Sequence, residues 1–370
     1  MTNLPSDETE RLSPDKDVLR RRRERDARIY RDWCESSYGP IKFADEVFHP
    51  ADILDALAPD AARRGRDDAM AQAKTDIEQI VCEQFPAPIA VPFHGFIEGP
   101  RQAISRLHRL RDTWESLVRL LTAVAMSEAA ASGIQFACIN VRESADQGWR
   151  PCKRRDLFSD KLSVRIGLIE GILQRANDLG ATLKLTSLIP LDVLGEVRRL
   201  NVVRNGFSHE AAKSDAQAQA IIDDAYPVLR ELLLDLRDLQ TVELMRVRSL
   251  VPGNKAEIEW LIGHAQSRRF SVLELDQQAA SVAMSAASVD GLDPVLARID
   301  GLMLDLSPFV YAADDDTGHR TRVFEFKSKT ADLWALECVA DSTTRSSPCA
   351  PHENLLGRFQ SFFEDVRGGV

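Results

Sequence analysis

The chain has 370 residues, 44% of them hydrophobic and 28% charged, with a net charge of −10. That length and balance point to two or three globular domains. They exclude a surface coated with positive charge for indiscriminate nucleic-acid binding.

Residues 1–17 are polar and acidic, read as disordered, and lack the apolar core of a secretion signal. From Lys16 to Tyr38, "KDVLRRRRERDARIYRDWCESSY" predicts a strongly charged helix whose run Arg20–Arg23 forms a solvated face. A second helix is expected over "RDDAMAQAKTDIEQIVCEQF". The prolines and glycines of "PAPIAVPFHGFIEGP" then predict an extended linker over residues 86–100.

A long amphipathic helix follows in "RQAISRLHRLRDTWESLVRLLTAVAMSEAAAS". There Leu107, Leu110, Trp114, Leu117, Leu121 and Val124 recur at three- and four-residue steps and mark one buried stripe. The run contains Arg119 and Glu128, so it reads as a core helix and not a membrane span. Similar stripes predict helices over "SDKLSVRIGLIEGILQRANDLG", "LDVLGEVRRLNVVRN" and "AQAQAIIDDAYPVLRELLLDLRDL", the last kinked or restarted at Pro227. Four such helices with short connections make an antiparallel bundle. Beyond Leu239 the pattern becomes alternating, in "TVELMRVRSLV", "KAEIEWLIGHA", "RRFSVLEL" and two or three strands around "DDDTG". A small β-barrel or β-sandwich over about 241–342 is expected, closed by a terminal helix in "ENLLGRFQSFFEDV". The fold class is therefore α+β, with an N-terminal charged helical extension (1–87), a helical bundle (88–240) and a β-rich C-terminal domain (241–370).

The six cysteines (Cys34, Cys82, Cys138, Cys152, Cys338, Cys349) form no C-x-x-C pair, so reduced thiols and no zinc site are expected. No cofactor is expected either. A cytoplasmic location without membrane association completes the reading.

An arginine followed a few residues later by a histidine occurs three times: Arg101–His108, Arg204–His209 and Arg345–His352. Only the middle one reads Arg-Asn-x-x-x-His and follows directly on an amphipathic helix, in "LNVVRNGFSHEA". On Arg204, Asn205 and His209, with the helices before and after, the chain resembles the HEPN superfamily (higher eukaryote and prokaryote nucleotide-binding) over about residues 88–240. The resemblance implies a metal-independent endoribonuclease that acts as a homodimer with a composite site, Arg204 and His209 coming from each chain. In that chemistry a histidine moves the 2′-hydroxyl or 5′-oxygen proton, and a guanidinium stabilises the phosphorane. The products are a 2′,3′-cyclic phosphate and a 5′-hydroxyl. Asn205 would orient the loop or the phosphate, and Gly206 would let the backbone turn. Glu115 is a candidate assistant from the opening helix, its alternative being a surface salt bridge. Arg106, His108, Arg109, Arg111, Arg198 and Arg199 are candidate RNA contacts. By the same resemblance the role is that of a toxin or antiviral defence effector, with a regulatory or antitoxin protein as further partner. The tyrosine that some members carry two residues past the histidine is here Ala211, so that mode of control is not implied.

Two other readings compete. Asp314–Asp316 with Glu325 and Lys327 imitates the carboxylate and lysine set of magnesium-dependent nucleases, or else forms the wet face of a hairpin. The bundle could also be a non-catalytic docking or sensing module, with the β-rich domain binding a partner. Its aromatics (Trp260, Phe270, Phe309, Tyr311, Phe324, Trp334) would then stack on a ligand, or else fill a core.

Overall fold

A computed structural model describes residues 16–143, 147–208, 214–264 and 268–355. It is a mixed α+β fold in which helices pack on a large antiparallel sheet. Among the described residues no helix is long and apolar enough to cross a membrane.

The N-terminal helix α1 spans Lys16–Tyr38. A short hairpin (β1 Ile41–Phe43, β2 Glu46–Phe48) and helix α2 (Pro50–Leu57) lead into α3 (Pro59–Gln84). Within the run Arg20–Arg23, Arg20 and Arg23 are exposed as the sequence suggests, but Arg21 and Arg22 are turned inward, as is Arg25. Arg22 Nε and Arg25 Nη1 donate to the fully buried carboxylate of Asp235 at 2.9 and 2.8 Å, and Arg21 Nε donates to Asp192 at 2.7 Å. Those acids stand some 170 to 210 positions away in the chain, beyond the reach of any local pattern.

Residues 86–100 do not form an extended linker: Ala87–Ile97 is helix α4. Its first proline lies in the opening turn, where an amide hydrogen has no partner to lose. Pro92 does remove one internal bond. Burying Ile89, Phe93 and Phe96 outweighs that loss, since each such side chain contributes roughly 1.5–3 kcal/mol when removed from water.

The predicted bundle helices are α5 (Ala103–Ala131), α6 (Leu162–Asp178), α8 (Leu191–Ser208) and α9 (Asp215–Asp235). They close a ring of contacts: α5 on α6, α6 on α8, α8 on α9 and α9 on α5. The stripe read from the sequence is the buried one, with Leu107, Leu110, Trp114, Leu117, Leu121 and Val124 all inside. One connection is long. Between α5 and α6 the chain forms a two-residue ladder, β3 (Asn140–Val141) with β4 (Arg150–Pro151), laid against α6. Gly167 and Gly171 make that approach possible, because a Cβ on either would sit 2.0 Å from the carbonyl oxygen of Arg142 or Asn140. After α6, the short helix α7 (Lys184–Leu188) begins on the buried Glu128 carboxylate of α5, which accepts from the amides of Lys184 and Leu185.

The C-terminal strands are β5 (Glu243–Val251), β6 (Lys255–Trp260), β7 (Arg269–Glu274), β8 (Asp293–Ile299), β9 (Leu302–Asp305), β10 (Val310–Asp314), β11 (Thr321–Lys329), β12 (Leu333–Cys338) and β13 (Thr344–Pro348). They form one sheet in the order β13-β12-β11-β10-β8-β5-β6-β7, with β9 paired to β8. No pairing among the described residues joins the two ends into a barrel. Side chains alternate between faces as strand geometry requires. Leu244, Val295, Ala297 and Leu304 join the core of the helical layer. Their neighbours Met245, Leu296 and Met303 join a second cluster on the opposite face, under helix α10 (Gln277–Ser285). The core is thus continuous from α3 to α11 (Cys349–Leu355), the last helix among the described residues, across the expected boundary at residue 240. The expected terminal helix falls mostly on residues 356–370, outside the described residues.

Candidate functional site

Helix α8 runs without a break through Gly206 to Ser208. A single helical glycine costs about 1 kcal/mol, which continued backbone pairing offsets, so the turn expected at Gly206 is not made there. Arg204 and Asn205 lie in the C-terminal part of this helix, and α9 opens at Asp215 on the Ser214 side chain. The side chains of 201–208 and the whole of His209 lie outside the described residues.

The predicted RNA contacts fall into two groups. Arg198 is half-buried and structural: it donates to the Glu143 carbonyl at 3.1 Å and to Glu170 at 2.8 Å, tying α8 to α6 and the β3 segment. Arg199 pairs with Glu196 on its own helix. Arg111 pairs with Asp112 at 2.9 Å and stands 3.7 Å from Glu115. In the other group, Arg106 lies 4.9 Å over the Phe96 ring, Arg109 rests its stem on Gly95, and His108 is exposed. Glu115 accepts from Arg119 at 3.0 Å, the ion pair expected as its alternative, but largely buried and not on the surface. Arg119 bridges onward to Glu337 on β12 at 2.5 Å, so Glu115 is engaged toward the sheet.

The acidic set in the C-terminal third is not brought together. Asp314 pairs with Thr321 across the β10–β11 ladder, whereas Glu325 pairs with Val310. Four steps along a strand separate them by about 13 Å. Asp314 is held by Arg246, Arg248 and Arg268, which with its hydrogen bonds keep it at about 2 against the opposing effect of burial. Asp315 closes its own turn by accepting from Thr317 and the His319 amide. Lys327 pairs with Glu337 at 2.6 Å. Glu325 is wholly buried, and burial pushes its carboxyl up to about 8, with Arg119, the Ser116 hydroxyl and Arg165 pulling the other way. Among the described residues no cluster of three or more His, Cys, Asp or Glu could hold a metal ion.

In the remaining Arg–His spacing, Arg345 is exposed and His352 belongs to the core. His352 is fully buried between the hydroxyls of Tyr311 (3.0 Å) and Ser347 (2.6 Å) and stacks on Trp334. Of the aromatics considered for a ligand surface, Phe309, Tyr311, Phe324 and Trp334 are buried, Trp260 is half-buried and Phe270 is exposed.

One constellation was not foreseen. A cavity of about 310 Å³ opens between α4, the β6–β7 connection and the β10–β11 turn. His94 and His264 line it as parallel rings, 3.7 Å between centroids and 6° between planes. His264 Nδ1 lies 2.7 Å from the Cys82 carbonyl. A carbonyl only accepts, so Nδ1 carries a proton. Burial holds His94 below the ordinary imidazole range, assisted by His264 and opposed by Glu98. Arg268, Arg269 and Arg320 complete the polar rim. Nothing in the sequence signals this site, because its residues come from four separated segments.

No family model, curated protein or solved structure matches the chain.

Proposed function

We propose that the protein is a metal-independent endoribonuclease of the HEPN type. It would act as a homodimer that pairs Arg204 and His209 of one chain with the same residues of its partner. The observation that carries this reading is the position of the motif on α8. Arg204 and Asn205 lie in the C-terminal part of α8, and α9 returns within the same ring of helices. Residues five apart on a continuous helix point about 140° away from each other. Convergence of both side chains on one phosphate therefore requires either a departure from helical geometry at His209 or the partner chain.

One histidine takes the proton of the 2′-hydroxyl as the 2′-oxygen bonds to phosphorus. The partner's histidine delivers a proton to the 5′-oxygen as the P–O5′ bond breaks. The guanidinium of Arg204 balances the charge of the phosphorane, and Asn205 fixes the phosphate. Two-fold symmetry supplies the second histidine that a single chain lacks.

The test is cleavage of total RNA by purified protein in the presence of a chelator. Wild type should yield 2′,3′-cyclic phosphate ends and leave DNA intact. Arg204→Ala and His209→Ala should each lose at least about a hundredfold in rate. Intact RNA with wild type, or undiminished cleavage by His209→Ala, defeats the proposal. Growth arrest on expression of wild type but not of His209→Ala is the outcome expected of a toxin or defence effector.

A further inference from the structure

The cavity beside His94 and His264 plays no part in the Arg204–His209 reading and stands independently of it. We propose that it binds a small ligand through a phosphate group, gripped by Arg269 and Arg320 and backed by the two imidazoles. Three features of the cavity support this.

The first is unbalanced charge. Arg269 and Arg320 are exposed at the rim and pair with no acidic side chain among the described residues. The one carboxylate in the lining, Glu259, is already neutralised. It accepts from the Thr321 hydroxyl and faces Arg246 at 3.4 Å, Arg268 at 3.4 Å and Arg248 at 3.8 Å. Arg268 is held by Asp314 and by the Arg320 carbonyl, while its buried Nε makes no hydrogen bond. What remains is a pair of free guanidiniums, a match for the two charges of a phosphomonoester.

The second is a preformed frame. Gly263 takes φ +71°, and a Cβ there would lie 2.6 Å from the Glu83 carbonyl oxygen. The amides of Gly263 and His264 donate to the carbonyls of Phe85 and Cys82 at 2.8 and 2.7 Å, closing the end of α3. His264 is therefore set by the backbone before any ligand arrives. The third is size and wall chemistry. At about 310 Å³ the cavity is at the lower end of small-molecule sites, which run to about 1,000 Å³. Ala87, Val91, Val323 and Val339 supply an apolar wall for the rest of the ligand. Such a volume holds about one nucleotide and not a strand.

Calorimetric titration with inorganic phosphate, adenosine 5′-monophosphate and adenosine tests the assignment. Both phosphate probes should bind the wild type, and adenosine alone should not. Equal affinities for the two would make phosphate the whole epitope, whereas tighter binding of the nucleotide would show that the apolar wall adds to it. The double variant Arg269→Ala/Arg320→Ala, which alters only exposed side chains, should weaken binding at least about tenfold. His264→Ala should also weaken it while keeping the backbone cap, as an unchanged melting temperature would show. Absence of binding by either phosphate probe at about 5 mM, or undiminished binding by the double variant, overturns the proposal.

Discussion

The imidazole of His352 lies parallel to the indole of Trp334, with 5.1 Å between ring centroids and 11° between planes. Burial depresses this histidine to about 4, against a weak opposing pull from Asp290. Protonation therefore favours the unfolded chain. The stability contributed is present above the unfolded value near 6.5 and is lost as pH falls toward 4, by an amount on the order of 3 kcal/mol. Wild type should lose melting temperature over that window, and His352→Gln should show a flatter profile at a lower starting value. Parallel profiles for the two proteins would refute this.

Glu325 carries the opposite sign. Its folded-state value of about 8 exceeds the unfolded carboxylate range, so its contribution is complete at low pH and declines as pH rises toward 8. Glu325→Gln keeps the shape and cannot ionise. Its melting temperature relative to wild type should climb between pH 5 and pH 8 and then level off, as read by calorimetry. A constant difference would mean that the carboxyl does not titrate in that range.

Gly171→Ala should destabilise by about 2–3 kcal/mol or more, because the added methyl meets backbone that cannot rotate away. Gly195→Ala, in the same ring of helices but with open space around it, should be neutral or slightly stabilising. Urea midpoints for the pair decide the matter: similar losses in both would remove the steric explanation.

Removing Asp235 leaves Arg22 and Arg25 without their shared acceptor. Asp235→Ala should cost about 3–5 kcal/mol, the range for breaking a buried ion pair from one side. It should also make α1 the first segment released by limited proteolysis. Release of another segment first would show that α1 is held by its apolar contacts and not by these ions.

The helices were legible where burial follows a 3.6-residue period, as in the stripe from Leu107 to Val124, and the strands where alternation is regular. Prolines hid α4, because a local breaker signal carries no information about the apolar surface available to overrule it. The arginines were misread for a related reason. Arg22 and Arg198 look like solvent or RNA ligands until their acidic partners, distant in sequence, are folded beside them. The motif around Arg204 was visible because it is contiguous. The two-histidine cavity was not, since His94 and His264 stand 170 positions apart.

The β6–β7 connection is at once a hairpin link and a plug, since its amides occupy the acceptors that α3 leaves open. Because α3 also carries α1 and packs on α9, the loop and the bundle are mechanically geared. Pulling on residues 262–264 would unseat a helix terminus, and fraying that terminus would loosen the wall that holds His264.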